Sequence, residues 1–164
     1  MKMFKLCLLL FFLSTFNANA QVPSHAIGLR LGGSHYGHYG GEISYQMGIG
    51  DANRLELDLG WRNHRHWSAM AISGIFHWVW NITGGFNLFA GPGAQIGFYR
   101  DKDHFFGDDY IGLGVGGQLG LEYNFSEHGV PLQLSLDARP MWYLNGWYNG
   151  FGYGTALGIR YVIE

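Results

Sequence analysis

The sequence predicts an all-β protein, an eight-stranded antiparallel up-and-down transmembrane β-barrel with short periplasmic turns. Three observations lead to this prediction: a leader-like N-terminus, the lack of any cysteine after it, and eight segments in which apolar and polar residues alternate. Alternation with period two is typical of a strand whose two faces meet different surroundings. In YIGLGVGGQLGLEYNF, at 110–125, one parity is mainly apolar and the other is mainly glycine.

The N-terminus predicts export. Two lysines precede an apolar run, and the stretch ends on ANA at 18–20, a small-x-small pattern that signal peptidases cleave. The apolar run is too short for a membrane anchor. We therefore predict that residues 1–20 are a cleaved signal peptide and that residues 21–164 form a single domain, the β-barrel.

The composition excludes other classes of protein. The only cysteine, Cys7, lies in the predicted leader, whereas small exported soluble domains usually depend on disulfides. After the leader, eight lysines and arginines face twelve acidic residues, a net charge of about −4, and no basic patch indicates a nucleic-acid partner. The 27 glycines and the 17% of aromatic residues favour short strands and tight turns.

The first four strands are predicted from alternation in order along the chain. Residues 25–33 (HAIGLRLGG) alternate aliphatic residues with glycine and arginine, and residues 39–47 (YGGEISYQM) place glutamate, serine and glutamine on one parity. Residues 54–62 (RLELDLGWR) alternate leucine and tryptophan with charges. Residues 67–80 (WSAMAISGIFHWVW) have methionine, isoleucine, phenylalanine and tryptophan on one parity.

The last four strands follow in the same way. They are predicted at 86–99 (FNLFAGPGAQIGFY), 110–125, 131–143 (PLQLSLDARPMWY) and 150–163 (GFGYGTALGIRYVI). The second, fourth and sixth connections are short and turn-like (GIGDAN, NITGG and SEHGV), whereas the third and fifth are polar and aromatic (NHRH and RDKDHFFGDD). Because no helical period and no linker interrupts this series, we predict one all-β domain with turns at one end and loops at the other.

The two faces of these strands differ in kind, because every charge within the predicted strands lies on the parity opposite the leucines and isoleucines. These charges form the predicted lumen charge network: Arg30, Glu42, Arg54, Glu56, Asp58, Arg62, Glu122, Asp137, Arg139 and Arg160. Five acids and five arginines, diluted by small residues, suit the interior of an eight-stranded barrel, which side chains just fill. We therefore predict that the apolar parity faces lipid. Aromatic residues near both ends of the strands match the two interfaces of a membrane.

The pattern resembles the small outer-membrane β-barrels of the OmpA/OmpX kind, often labelled porin-family proteins. The stretches that carry this resemblance are GLRLGGSHYG, FAGPGAQIGFY, IGLGVGGQLGLEYNF and GYGTALGIRYVI. The resemblance implies location in the outer membrane of a Gram-negative bacterium, contact with outer-membrane lipid and lipopolysaccharide, and insertion by the barrel-assembly machinery. Such barrels commonly end on an aromatic residue, whereas this chain ends YVIE, so its assembly signal rests on Tyr161 or on a different feature.

Two prolines lie inside predicted strands. Pro92 and Pro140 each lack a backbone N–H, and a closed barrel has no free edge on which that loss is harmless. We therefore expect β-bulges at both prolines, or an early end to the pairing of the seventh strand.

These features predict a non-enzymatic integral outer-membrane protein with a structural or interaction role, and we assign it no catalytic, cofactor-binding or metal-binding residue. The predicted outer loops are short, which disfavours a large receptor-binding surface. One form of the interaction role is an accessory subunit that docks on a larger outer-membrane barrel complex. Gly74, Ala90, Ala94 and Gly117, on the predicted lipid face, would allow a close approach of such a partner.

Three alternatives stay open at this point. Rings of arginines and carboxylates also line channels, so a narrow channel or porin for small solutes is one. A loop metal site is another, from the loop histidines His35, His38, His64, His66 and His104. The third is a lipid-modifying enzyme that uses His66 and Ser68, although the following strand, 86–99, offers no acid to orient the histidine.

Overall fold

The computed structural model describes residues 22–34, 39–63, 67–101, 109–145 and 149–163. They form one closed antiparallel barrel in which each strand pairs with the next and the last pairs with the first. The strands are β1 (His25–Ser34), β2 (Tyr39–Gly48), β3 (Asn53–Asn63), β4 (Trp67–Thr83), β5 (Phe86–Asp101), β6 (Asp109–Asn124), β7 (Leu132–Tyr143) and β8 (Gly150–Ile163). The predicted eight-stranded barrel is confirmed, and each strand boundary falls within three residues of its predicted position.

The connections give the barrel two distinct ends. The turn end carries residues 22–24, the turns at 49–52 and 84–85, and the segment 125–131, which begins with a 3-10 helix, Phe125–His128. The loop end lies at the opposite ends of the strands. In the described part of the chain, no helix is both long and apolar enough to cross a membrane.

The expectation of bulges at the prolines was wrong. Pro92 pairs with Gly117 of β6, and Pro140 pairs with Tyr153 of β8, in the registers of their neighbours. Pairing is interrupted only toward the other neighbouring strand, which is β4 for Pro92 and β6 for Pro140. In both cases the strands resume the same register after the interruption. In an antiparallel sheet a residue directs its N–H and C=O toward the same neighbouring strand, so the missing N–H affects one side only.

The pairing of β7 also does not end early. It continues past Pro140 to Tyr143, which pairs with Gly150. In the strands that the structure describes, the register shift lies instead between Asn81 and Thr83, beside the β4–β5 turn.

Glycine beside each gap permits a close approach of the neighbouring backbone. A Cβ atom on Gly91 would lie 1.7 Å from the carbonyl oxygen of Phe76, and one on Gly116 would lie 2.2 Å from that of Pro140. Real Cβ atoms essentially never approach an oxygen so closely, so no side chain fits at either position without moving backbone. Gly91 therefore allows the backbone of β4 to lie close to β5 where Pro92 interrupts the pairing.

The outer wall of the barrel is an apolar belt. Large hydrophobic side chains around the whole circumference are 36–62% exposed, among them Leu29, Ile43, Leu59, Ile72, Leu113, Leu136 and Leu157. Within the strands, Arg100 at the loop end of β5 is the one charged side chain that the described residues place on this exposed face. A continuous apolar surface of this kind on a closed sheet fits a hydrocarbon surrounding, because every strand edge is already paired.

Candidate functional site

The structure places all ten residues of the lumen charge network inside the barrel. Eight of them are buried: Arg30, Arg54, Glu56, Asp58, Glu122, Asp137, Arg139 and Arg160. Glu42 and Arg62 lie nearer the loop end, where their side chains are 14% and 32% exposed. Because side chains alternate strictly along a strand, the register that points Glu56 inward also points Arg54, Asp58 and Arg62 inward.

At the turn end the network holds one nearly isolated pair. The two terminal nitrogens of Arg54 contact the two carboxylate oxygens of Glu122 at 2.9 and 2.7 Å. The same carboxylate accepts hydrogen bonds from the side-chain amides of Gln133, at 2.5 Å, and Asn87, at 3.2 Å. The contact at 2.9 Å is a hydrogen bond from Arg54, whereas the contact at 2.7 Å is an ion pair without hydrogen-bond geometry.

Aromatic groups surround the rest of Arg54. Its guanidinium carbon lies 4.8 Å from the ring centre of Phe89, and its Nε donates to Nδ1 of His77 at 3.3 Å. The rings of His77 and Phe89 are themselves in contact, with centres 4.8 Å apart. All three side chains are fully buried, so the positive charge is stabilised by Glu122 and by the face of an aromatic ring instead of by water.

Glu56 occupies the middle of the lumen. It accepts hydrogen bonds from Arg160 at 3.0 Å, Gln46 at 2.6 Å and Gln118 at 3.2 Å, and it lies 3.4 Å from Arg139. These donors come from β8, β2, β6 and β7, so a single carboxylate on β3 connects five of the eight strands.

Arg160 reaches across the same layer of the lumen. Besides Glu56, its guanidinium group donates to the hydroxyl oxygens of Ser44, at 3.0 Å, and Ser135, at 2.8 Å. Glycine makes room for it, because a Cβ on Gly158 would lie 2.7 Å from a terminal nitrogen of Arg160.

The upper layers of the lumen hold two further arginines. Arg139 pairs with Asp58 at 2.5 Å and with Glu42 at 3.2 Å. Arg30 pairs with Asp137 and, at 2.7 Å, with Glu42. Arg62, closest to the loop end, lies 3.8 Å from Glu42.

Every charge of the network therefore has at least one opposite charge within 4 Å. The five arginines and five carboxylates of the network balance, so these ten described residues carry no net charge that would attract one sign of ion. A cavity near the loop end, between Arg30, Glu42, Arg62, Arg139 and Tyr143, has a volume of about 30 Å³. That space is enough to hold a few water molecules. The arrangement fills the barrel and cross-links its strands.

Alternation alone did not single out several neutral residues that complete this interior. His77, Asn87 and Phe89 lie on the inward parity and are buried around Arg54, and Val79 is buried beside Phe89. The sequence shows that these residues share the inward parity. It does not show a role for His77, which is flanked by aromatic residues, or for Val79 and Phe89, which are apolar residues on a polar face.

The loop histidines His35, His38, His64, His66 and His104 lie outside the described residues, and so does the His66 half of the His66–Ser68 pair. Among the side chains that the structure describes, no group of three or more His, Cys, Asp or Glu residues is arranged to hold a metal ion.

Comparison with solved structures agrees with this geometry, whereas no protein-family model and no curated protein matches the chain. Neisserial surface protein A superposes with a TM-score of 0.66 at 12% identity, over 85% of this chain and 95% of that one. The attachment invasion locus protein Ail of Yersinia pestis gives a TM-score of 0.60 at 12% identity, over 85% and 97%. This chain has the fold of the small outer-membrane β-barrels.

The same fold also hosts an enzyme. The outer membrane enzyme PagL superposes with a TM-score of 0.54 at 10% identity, over 84% of this chain and 99% of that one. The likeness in fold therefore leaves the choice between an enzyme and a non-enzyme to the residues of the chain itself.

Proposed function

We propose that this protein is an integral outer-membrane barrel with a non-enzymatic, structural or interaction role in the cell envelope. The observation that carries the proposal is the lumen charge network. Its ten charges are all engaged with one another, which leaves the wall and the loop end as the surfaces on which a partner can act. The exposed apolar belt supports contact with outer-membrane lipid and lipopolysaccharide, and a barrel of this kind would be inserted by the barrel-assembly machinery.

A channel is the weaker alternative. Eight strands leave an interior that side chains fill, and here that interior contains paired arginines and carboxylates at each level. Opening a path for ions would require several buried pairs to separate, each of which costs several kcal/mol if one charge is left without a partner.

We propose further that the wall around Pro92 docks on a larger outer-membrane barrel, so that this chain acts as an accessory subunit. Strand register brings the small residues of this wall together: Ala94 of β5 pairs with Gly74 of β4, and Pro92 pairs with Gly117 of β6. Ala90 lies on the same face of β5, two residues before Pro92. Small side chains allow two backbones to approach closely within a membrane, where van der Waals packing drives association.

The docking proposal is tested with a photo-crosslinking amino acid placed at Ala94 in cells that produce the protein at its native level. A matched control carries the same amino acid at Leu29 on β1, on the opposite wall of the barrel. We expect a discrete crosslinked species of higher mass from position 94 and none from position 29. Equal crosslinking from both positions, or none from either, would contradict a docking surface around Pro92.

A further inference from the structure

At the turn end of the barrel, the segment at residues 22–24, here called the strap, precedes β1. Val22 donates its backbone N–H to the carbonyl oxygen of Asp51 at 3.4 Å, and the carbonyl oxygen of Ser24 accepts from the N–H of Gly48 at 2.9 Å. A Cβ on Gly48 would lie 2.9 Å from the carbonyl oxygen of Pro23, so glycine at this position lets the strap approach the end of β2. The strap is thus held against the β2–β3 turn before β1 begins.

Beneath the strap lies an apolar layer. The side chain of Val22 packs on Val79 and Phe89, which are 1% and 0% exposed and form the one hydrophobic core cluster that the described residues contain. Both residues project inward from β4 and β5, and Ile75, four residues before Val79 on β4, is a further buried aliphatic residue on the inward parity. We refer to Val22, Val79 and Phe89 together as the apolar seal.

The apolar seal lies between the strap and the charge network. Phe89 contacts Arg54 of the network, and Val22 of the strap packs on the cluster that Phe89 forms with Val79. An apolar constriction resists the entry of water and ions even where its radius would admit them. The neighbouring turn is tied to the same unit, because Val79 donates its N–H to the carbonyl oxygen of Ala52 at 2.8 Å.

We propose that the strap is a conformational closure of the lumen: Val22, seated on Val79 and Phe89, keeps water and small ions out of the turn end. The closure is a local equilibrium, since a short segment that precedes the first strand can leave its site without unfolding the barrel. When the strap leaves, the Arg54–Glu122 pair gains access to solvent. The turn end is therefore kept dry by the N-terminal segment, whereas the remainder of the lumen is filled by its own side chains.

The closure is tested by the rate at which a small, charged thiol reagent modifies single cysteines in the lumen of the folded, purified protein. In a Cys7→Ser background, Ala26→Cys reports on the turn end, because Ala26 is 1% exposed on β1 directly after the strap. Ala156→Cys, at a position 4% exposed on the loop-end side of β8, reports on the rest of the lumen. The electrophoretic difference between heated and unheated samples establishes that each variant is folded.

We expect Val22→Ser to accelerate modification at position 26 about tenfold, which corresponds to about 1.4 kcal/mol in the closing equilibrium. Val22→Ile should leave the rate unchanged, and so should Val130→Ser, which makes the same kind of change at an exposed turn-end residue. Position 156 should not respond to any of them. The Val79 amide should also exchange its hydrogen faster in Val22→Ser.

Two results would overturn the proposal. The first is a rate at position 26 that Val22→Ser changes less than the control Val130→Ser does. The second is an equal acceleration at positions 26 and 156, which would show a general loosening of the barrel and not the opening of one end. If Ala26→Cys does not fold, exchange of the Val79 amide decides between the same outcomes.

Discussion

Removing one partner of the Arg54–Glu122 pair should destabilise the barrel more than removing both. Arg54 and Glu122 are 0% and 3% exposed, and their contacts at 2.9 and 2.7 Å make them the most self-contained pair in the lumen. In Arg54→Met, the carboxylate of Glu122 stays buried without a cation. In Glu122→Gln, the guanidinium group keeps only the ring of Phe89 and the nitrogen of His77.

The expected magnitudes follow from the cost of an unpaired buried charge. Breaking such a pair from one side costs about 3–5 kcal/mol, whereas replacing both charges with neutral groups of similar size is often close to neutral. Methionine also retains a favourable contact with the ring of Phe89, worth about 0.3–1.5 kcal/mol. We therefore expect the double variant Arg54→Met, Glu122→Gln to be more stable than either single variant, by about 2 kcal/mol or more.

The assay is reversible unfolding by urea in lipid vesicles, followed by tryptophan fluorescence and by the mobility of unheated samples on gels. Arg62→Met is the matched control, because Arg62 is 32% exposed and lies 3.8 Å from Glu42. A partly exposed pair of this kind contributes about 0–1 kcal/mol, so the control should change stability little. If the effects of the two single substitutions simply added in the double variant, Arg54 and Glu122 would not be energetically coupled.

Three further predictions concern the wall and the location of the protein. Leu136→Arg, in the middle of β7, should reduce the unfolding free energy in vesicles by about 2–4 kcal/mol. Leu144→Arg, beyond the end of β7, should reduce it by only about 0–1 kcal/mol. Equal losses would contradict the placement of the apolar belt in hydrocarbon. Gly91→Ala should block assembly on unheated gels, because its Cβ would lie 1.7 Å from the Phe76 oxygen, whereas Gly74→Ala meets nothing closer than 3.5 Å and should assemble normally. In fractionated cells the protein should sediment with outer membranes; recovery as a detergent-independent monomer would refute the membrane assignment.

Much of the fold was predictable because a closed barrel imposes one rule on every residue. Side chains point alternately in and out, so the leucines of RLELDLGWR in β3 and their charged neighbours were sorted by parity alone. Strand number and order followed from eight alternating segments joined by short connections.

The charge pairs, the effect of the prolines and the role of Val22 could not be predicted from the sequence, because they depend on contacts between residues that are distant along the chain. Which arginine meets which carboxylate is set by the stagger of strands across the lumen, as in the Arg30–Asp137 pair, 107 positions apart. The prediction of bulges at the prolines was wrong because Pro92 and Pro140 each lose pairing on one side only, and the sequence does not show which neighbouring strand that side faces. Val22 carried no signal, because the packing of a single valine ahead of the first strand is visible only once Val79 and Phe89 are placed next to it.

Single-channel recording from planar bilayers tests the closed lumen most directly. The purified protein is added after its unheated mobility shows a folded barrel, and insertion is verified by recovery of the protein with the membrane. The paired charges of the lumen and the seal at its turn end predict at most small and rare openings. A large, steady, ion-selective conductance from the monomer would show an open bore and would contradict the account.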